Sequence, residues 1–225
     1  MTGAGGNRPE VGGIESSLDY PVVLSVAGRP CLVVGAGSVA ARKARGLLEA
    51  GAQVTAVAPE TSEAMDDLLR TTPSDRLRLE RRVYRSGDVV GYDFVVAATG
   101  DEATDQRVTQ EAIEAGVLVN GAPVGSIRSV HLPALHRQGP VTIAVSTGGR
   151  SPGLARWLRT RIAGTTDRRL AVLATLLADA REEVQSDGRS SADVDWSDVI
   201  DRVLPLVEEG KIDEARTTLD GLVKR

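Results

Sequence analysis

Six residues, Gly35-Ala36-Gly37-Ser38-Val39-Ala40, close the apolar run CLVV and open an Ala- and Leu-rich segment that ends near Gly51. Their types and spacing fit G-x-G-x-x-G/A at the junction of a strand and a helix, the turn that holds the pyrophosphate of a dinucleotide. Each position has its own physical requirement. Gly35 permits the tight turn, Gly37 lets the backbone approach the phosphates, and small Ala40 allows the helix to pack closely on the strand. With Ser38 and Val39 opening the helix, its N-terminus presents free N–H groups and partial positive charge to an anion. The alternative is a glycine turn that only joins strand to helix.

Two further positions bear on a dinucleotide. An acid at the end of the second strand usually binds the ribose hydroxyls. Here VTAVA (54–58) ends in Ala58-Pro59, and Glu60 follows, placed either to reach a hydroxyl or to be solvated. No arginine stands at 58–60 to favour a 2′-phosphate, so NAD is expected rather than NADP. Thr99-Gly100 ends the fourth strand, at the carboxyl edge where an open α/β sheet keeps its cofactor crevice. Arg42 and Lys43, on the first helix, are expected to face solvent.

The elements that must position these residues follow from pattern. CLVV, VTAVA and DFVVAAT are continuous apolar runs, as in parallel strands buried on both faces. Helices are expected over 39–50, over 61–70 with Thr61 or Ser62 as cap, and over 101–115. LRLERRVY (77–84) alternates as an edge strand would, and VLVN (117–120) is a further strand. Strand and helix alternate from 31 to 120, which implies a doubly wound, Rossmann-like parallel sheet of the α/β class. After 120 the alternation stops. SVHLPAL and PVTIAVST read as two strands joined by HRQG, and Ser151 caps a helix with Pro152 in its first turn. Residues 167–184, 198–209 and 213–224 are helical, with a polar loop at 185–195.

Bulk composition restricts the function classes. Hydrophobic residues make up 41% and charged residues 26%, ordinary for a globular domain, and aromatics only 3%, so the core is aliphatic. A net charge of −4 does not suggest a nucleic-acid partner. No apolar run reaches the roughly 18 residues of a membrane span. The single Cys31 lies in an expected buried strand and fits a reducing, cytoplasmic setting. MTGAGGNRPEVGG lacks the pattern of a signal peptide and reads as a disordered lead-in.

Three stretches in order carry a family resemblance: YPVVLSVAGRPCLVVGAGSVAARKARGLLEAGAQVTAVAPE, YDFVVAATGDEATDQRV and VSTGGRSPGLARWLR. They resemble the precorrin-2 dehydrogenase / sirohydrochlorin ferrochelatase family, the dehydrogenase–chelatase part of sirohaem synthase. The resemblance covers about residues 18–165 and, more loosely, the helical tail. It implies oxidation of precorrin-2 to sirohydrochlorin with NAD, insertion of ferrous iron in some members, and a homodimer. It also implies, after the lead-in (1–17) read from composition, an NAD-binding Rossmann domain (18–120), a β dimerisation segment (121–149) and a helical C-terminal domain (150–225).

The chain departs from the family at one important place. After the strand that ends in asparagine the family carries an aspartate implicated in both reactions. Here the stretch is Asn120-Gly121-Ala122-Pro123, with proline where the aspartate is expected, and no carboxylate occurs between 115 and 166. A chain that kept the turn but lost the aspartate would bind or sense a tetrapyrrole and NAD without turnover. The nearest replacements are Asp101, Glu102, His131 and His136. Precorrin-2 oxidation removes a hydride and a proton, and a base with pKa near neutrality serves best. Histidine meets that condition unperturbed. His131 is therefore one candidate, and a polar surface or dimer contact is its other reading. Asp101 is the other candidate, and it is equally placed to cap the helix that follows. The histidines, five apart, would lie on opposite faces of a strand.

The substrate is polycarboxylated, and arginine binds carboxylates bidentately while staying charged. Arg150, Arg156 and Arg159, with Arg161, lie in and beside SPGLARWLRTR; Arg156 and Arg159 share a face at i, i+3, and Trp157 adds a flat apolar surface. Thr147, Gly148 and Gly149 are expected to offer backbone N–H groups to the same anion, with Asn120 nearby. The alternatives are a solvated basic face and a plain strand-to-helix turn. No spacing suggests a metal-ligand set.

Overall fold

The computed structural model describes residues 19–122 and 130–223; the expected lead-in (1–17) and Pro123 lie outside the described residues. The chain divides into two compact units between His131 and Leu132. The expected boundaries at 120 and 149 do not coincide with this division: the strand pair and all the later helices share the second unit.

The first unit is built on five parallel strands. β1 (Pro30–Val34), β2 (Gln53–Val57), β3 (Leu77–Glu80), β4 (Phe94–Ala97) and β5 (Leu118–Asn120) lie in the order β3-β2-β1-β4-β5. α1 (Ser38–Glu49), α2 (Glu63–Thr71) and α3 (Glu102–Glu114) make the crossovers. β1 is central because Cys31, Leu32, Val33 and Val34 are each at most 1% exposed and so tolerate cover on both faces. Successive side chains go to opposite sides. Cys31 and Val33 join Ala40, Ala41, Ala44, Met65 and Leu68 of α1 and α2. Leu32 and Val34 join Val95, Val108, Ala112 and Val119 on the α3 side. Burial pushes the Cys31 thiol up to about 11, so it behaves as a small apolar residue.

The edge strand stops at Glu80, short of the expected Tyr84. Arg82 there turns away to hold Glu80 (2.6 Å) and Asp88 (2.6 Å). Residues 19–29 form no strand; Tyr20 (89% exposed) and Val23 (102%) lie outside the sheet, and only Val26 enters the core.

The second unit begins with an antiparallel pair, β6 (Ala134–Gln138) and β7 (Val141–Val145). The turn is Gly139-Pro140, so His136, Arg137 and Gln138 belong to the strand and not to the expected HRQG loop. The left-handed backbone of Gly139 (φ 56°) makes the tight reversal. α4 (Pro152–Ala163) packs on this hairpin, and α5 (Arg168–Ser186), α6 (Trp196–Glu208) and α7 (Ile212–Val223) follow. Their core is a cluster of its own, including Leu173, Leu176, Val184, Val199, Val203, Val207, Leu219 and Val223. α5 runs on to Ser186, and Ser191–Asp193 form a short 3-10 turn within the expected loop. Among the described residues no helix is long and apolar enough to cross a membrane.

Candidate functional site

β1 and β4 are neighbours whose crossovers leave in opposite directions, so a crevice opens outside their carboxyl ends. Gly35 occupies that point. Its φ is +111°, and a Cβ there would stand 2.2 Å from the carbonyl oxygen of Ala98, beyond β4. The glycine is required by the approach of two backbones. Gly37 differs: its φ is −71°, and a Cβ would meet nothing within 4 Å. Gly37 is the N-cap of α1 and supplies no side-chain cap, and the amide bonded to its carbonyl is that of Ala41 (2.9 Å). The preceding first-turn amides therefore face an open approach. Ala40 is fully buried where α1 packs on the sheet. Val39 is 45% exposed beside the turn. Ala36 is buried, and its carbonyl accepts from both the N–H (3.0 Å) and the hydroxyl (2.9 Å) of Ser62. The same Ser62 caps α2, so the β2–α2 connection is tied to the glycine turn. Open space at Gly37, uncapped amides and a tightly seated helix together fit a dinucleotide pyrophosphate.

Around that turn the candidates are placed unequally. Ala58, at the usual acid position, is buried; Glu60 is exposed two residues further on. Thr99 is held by a carboxylate that sequence reasoning passed over. Its N–H (2.9 Å) and hydroxyl (2.8 Å) both donate to Asp105 Oδ1. The signal was an acid in the first turn of a helix, at i+4 from Asp101. Lys43 is half-buried rather than solvent-facing. Burial lowers its pKa, an effect opposed by Asp105 and reinforced by Arg42. Asp101 is the N-cap of α3: its carboxylate accepts from the Thr104 hydroxyl (2.6 Å) and N–H (3.0 Å). Those bonds hold it below the usual carboxylate range.

Asn120 ends β5 and donates its side-chain amide to the carbonyl of Val130 (2.9 Å), while the Val130 N–H bonds the carbonyl of Val119 (3.0 Å). The backbone leading into His131 is thereby pinned beside the carboxyl end of β5. His131 is half-buried and precedes β6 instead of lying in it. His136 belongs to the other unit, on β6, with Nε2 2.7 Å from the Thr166 hydroxyl. At Gly121 a Cβ would stand 2.1 Å from the Thr109 hydroxyl and 3.1 Å from Ala97, so no side chain fits there without displacement.

In the second unit the turn before α4 uses three of its own amides. Gly148 N–H donates to Ser146 Oγ (3.2 Å), Arg150 N–H to the Thr147 carbonyl (3.2 Å), and Ser151 N–H to Thr147 Oγ1 (3.1 Å). Gly148 (φ 59°) and Gly149 (φ 74°) are both left-handed, which only glycine adopts freely. Arg156 is exposed, whereas Arg159 is half-buried and its Nε is enclosed with no acceptor among the described residues. The two do not share one environment. Among the described residues no three His, Cys, Asp or Glu side chains gather as a metal site.

Known proteins place this geometry. Residues 22–134 match a family model described as "Putative NAD(P)-binding", and residues 138–165 match "Sirohaem biosynthesis protein central". The chain belongs to the precorrin-2 dehydrogenase / sirohydrochlorin ferrochelatase family. It is 40% identical over 171 residues to the siroheme synthase of Methylococcus capsulatus, covering 75% of this chain and 35% of that one. With the siroheme synthase of Ectopseudomonas mendocina it shares 36% identity over 204 residues, covering 89% of this chain and 43% of the relative. It thus spans well under half the length of these relatives. Among solved structures, SirC, precorrin-2 dehydrogenase, superposes with a TM-score of 0.68 at 26% identity, covering 92% of this chain and all (100%) of that one. The NAD(P)-binding family match covers the whole wound sheet and its glycine turn.

Proposed function

We propose that this chain oxidises precorrin-2 to sirohydrochlorin with NAD, in sirohaem biosynthesis, as a cytoplasmic homodimer. The observation that carries the reading is the contrast at the glycine turn: Gly35 is packed against Ala98, while Gly37 opens onto free space before uncapped amides. The solved SirC likeness supports the substrate. The apolar, outward-facing Leu135 on a hairpin whose two strands pair only with each other, among the described residues, supports the second copy.

Oxidised nicotinamide, when bound, accepts the hydride. The chain's own groups do the rest. The first-turn amides of α1, from Ser38 and Val39, hold the phosphates at Gly35–Gly37. Glu60, with no arginine beside it, accepts from ribose hydroxyls and disfavours a 2′-phosphate. Thr99, fixed by Asp105, borders the crevice. Arg150, Arg156 and Arg159 hold peripheral carboxylates; Thr147, Gly148 and Gly149 shape the turn that carries them. His131 takes the proton that leaves with the hydride. Asp101 is the weaker base, because capping bonds stabilise its ionised form.

The test is anaerobic mixing of the full chain with NAD and enzymatically generated precorrin-2, following absorbance of NADH. Formation of NADH together with sirohydrochlorin is expected. A second reading, a tetrapyrrole and NAD binder without turnover, is favoured by one observation: no carboxylate occurs between 115 and 166. Binding of both ligands without NADH formation would establish it instead.

A further inference from the structure

A threonine hydroxyl has one proton to give and two lone pairs to accept with. At Thr99 the proton is turned inward: Asp105 Oδ1 lies 2.8 Å away, and the Asp101 carbonyl, a longer second acceptor, 3.1 Å. One lone pair is taken by the Asp101 N–H (3.0 Å). The Thr99 N–H is also given to Asp105 Oδ1 (2.9 Å). Thr99 itself is exposed, so among the described residues its hydroxyl keeps one lone pair for an outside group. Asp105 is half-buried in the first turn of α3. Lys43, half-buried on α1, lies within electrostatic reach of it.

Position decides what uses that lone pair. Thr99 follows the carboxyl end of β4, and a Cβ on Gly35 would stand 2.9 Å from the Thr99 nitrogen. The hydroxyl therefore borders the turn that fits the pyrophosphate. A phosphate presents acceptor oxygens and negative charge, and the carboxylate behind Thr99 repels it. The group that fits is a hydrogen-bond donor. Topology names the half of the dinucleotide that brings it. The adenosine ribose belongs at the end of β2, on one side of β1, and β4 lies on the other side. The nicotinamide half crosses to β4, and its donors are its ribose hydroxyls and its carboxamide N–H.

We propose that Asp105 is a positioning residue: by holding the Thr99 proton it makes that hydroxyl an acceptor for a donor on the nicotinamide half of NAD, a ribose hydroxyl or the carboxamide N–H. Resting on the NAD reading above, this role adds to phosphate binding a contact that distinguishes NAD from ADP. The glycine turn holds the diphosphate that both share, and the Asp105–Thr99 pair recognises the redox half that only NAD carries.

Calorimetric titration of NAD, ADP-ribose and ADP into the full chain as wild type, T99V, D105A and D105N tests the role. ADP shares the adenosine and the diphosphate and lacks both candidate donors; ADP-ribose adds the second ribose alone. Losing one such hydrogen bond weakens binding by about five- to ten-fold. T99V and D105A are expected to lose that much affinity for NAD, with ADP affinity kept within about two-fold. D105N, whose amide oxygen still accepts from Thr99, is expected to recover NAD affinity to within about two-fold of wild type. ADP-ribose weakened together with NAD identifies the ribose hydroxyl as the donor; ADP-ribose holding with ADP identifies the carboxamide. D105A weakening ADP and NAD alike overturns the role in favour of a purely structural tie. D105A binding NAD as tightly as wild type, or D105N binding it as weakly as D105A, overturns the role and leaves the NAD reading standing. Wild type that binds no NAD overturns the NAD reading, and the Asp105 role with it.

Discussion

Gly35 and Gly37 stand two positions apart and answer to different constraints. A methyl group at 35 would collide with the Ala98 carbonyl at a backbone angle that alanine avoids. Gly35→Ala is expected to destabilise the first unit by more than about 3 kcal/mol, read as a large fall in Tm. Gly37→Ala meets no protein atom, so Tm should hold while NAD affinity, measured by calorimetry, falls by at least about ten-fold. Equal effects of the two changes on Tm would show that the turn is purely structural. His131 and Asp101 divide in the same manner. Loss of a general base costs about 10²–10⁴ in rate, so His131→Gln should cut turnover by that much at unchanged NAD affinity. Asp101→Ala should lower Tm through loss of the α3 cap and leave turnover per folded molecule close to wild type. The reverse pattern would move the proton to Asp101.

The connection between β3 and β4 is held by polar contacts where an extended edge strand was expected. The Tyr84 hydroxyl (2.7 Å), the Ser86 hydroxyl (2.9 Å) and the Gly87 N–H (3.0 Å) all donate to the carboxylate of Glu111 on α3. Asp88 receives Arg82 and the Arg85 N–H (2.8 Å). Burial alone would raise both carboxyls, but these donors outweigh it and hold them below their ordinary values of 4.5 and 3.8. A depressed native pKa adds stability that is complete above the unfolded value and lost as pH falls through the native one. The first unit should therefore keep its full stability near neutrality and lose it in acid below about pH 4. Glu111→Gln should lower stability at pH 7 and flatten the loss between pH 7 and about pH 3, measured by urea unfolding. A pH dependence unchanged in that variant would remove Glu111 from the account.

At the scale of the molecule the described residues form three hydrophobic clusters, two on the wound sheet and one among the later helices. The first two lie one on each face of the wound sheet; the helical one draws on residues from Leu173 to Val223. A core that closes on its own residues is the physical condition for independent folding. A fragment of residues 132–225 is expected to be helical by circular dichroism and to melt cooperatively. A non-cooperative melt would mean that the helices depend on the first unit.

Periodicity and glycine placement determined the strand–helix alternation, the glycine turn, a cap at Thr61 or Ser62 and the cap Ser151, because these depend on contacts within a few residues; three stretches of sequence carried the family resemblance. The apolar run of β1 fitted a parallel strand covered on both faces, and the sheet order then set it at the centre. The tertiary structure alone decided which polar groups meet. Asp105 reaches Thr99 because the first turn of α3 folds back on the end of β4. Asn120 pairs with Val130 across ten positions, and Arg82 leaves the edge of the sheet to meet Asp88. Lys43 is half-buried, and Arg156 and Arg159 part company on one helix, because exposure depends on what packs against each face. Such contacts are set by the three-dimensional approach of segments, for which a linear pattern of residue types carries no distance.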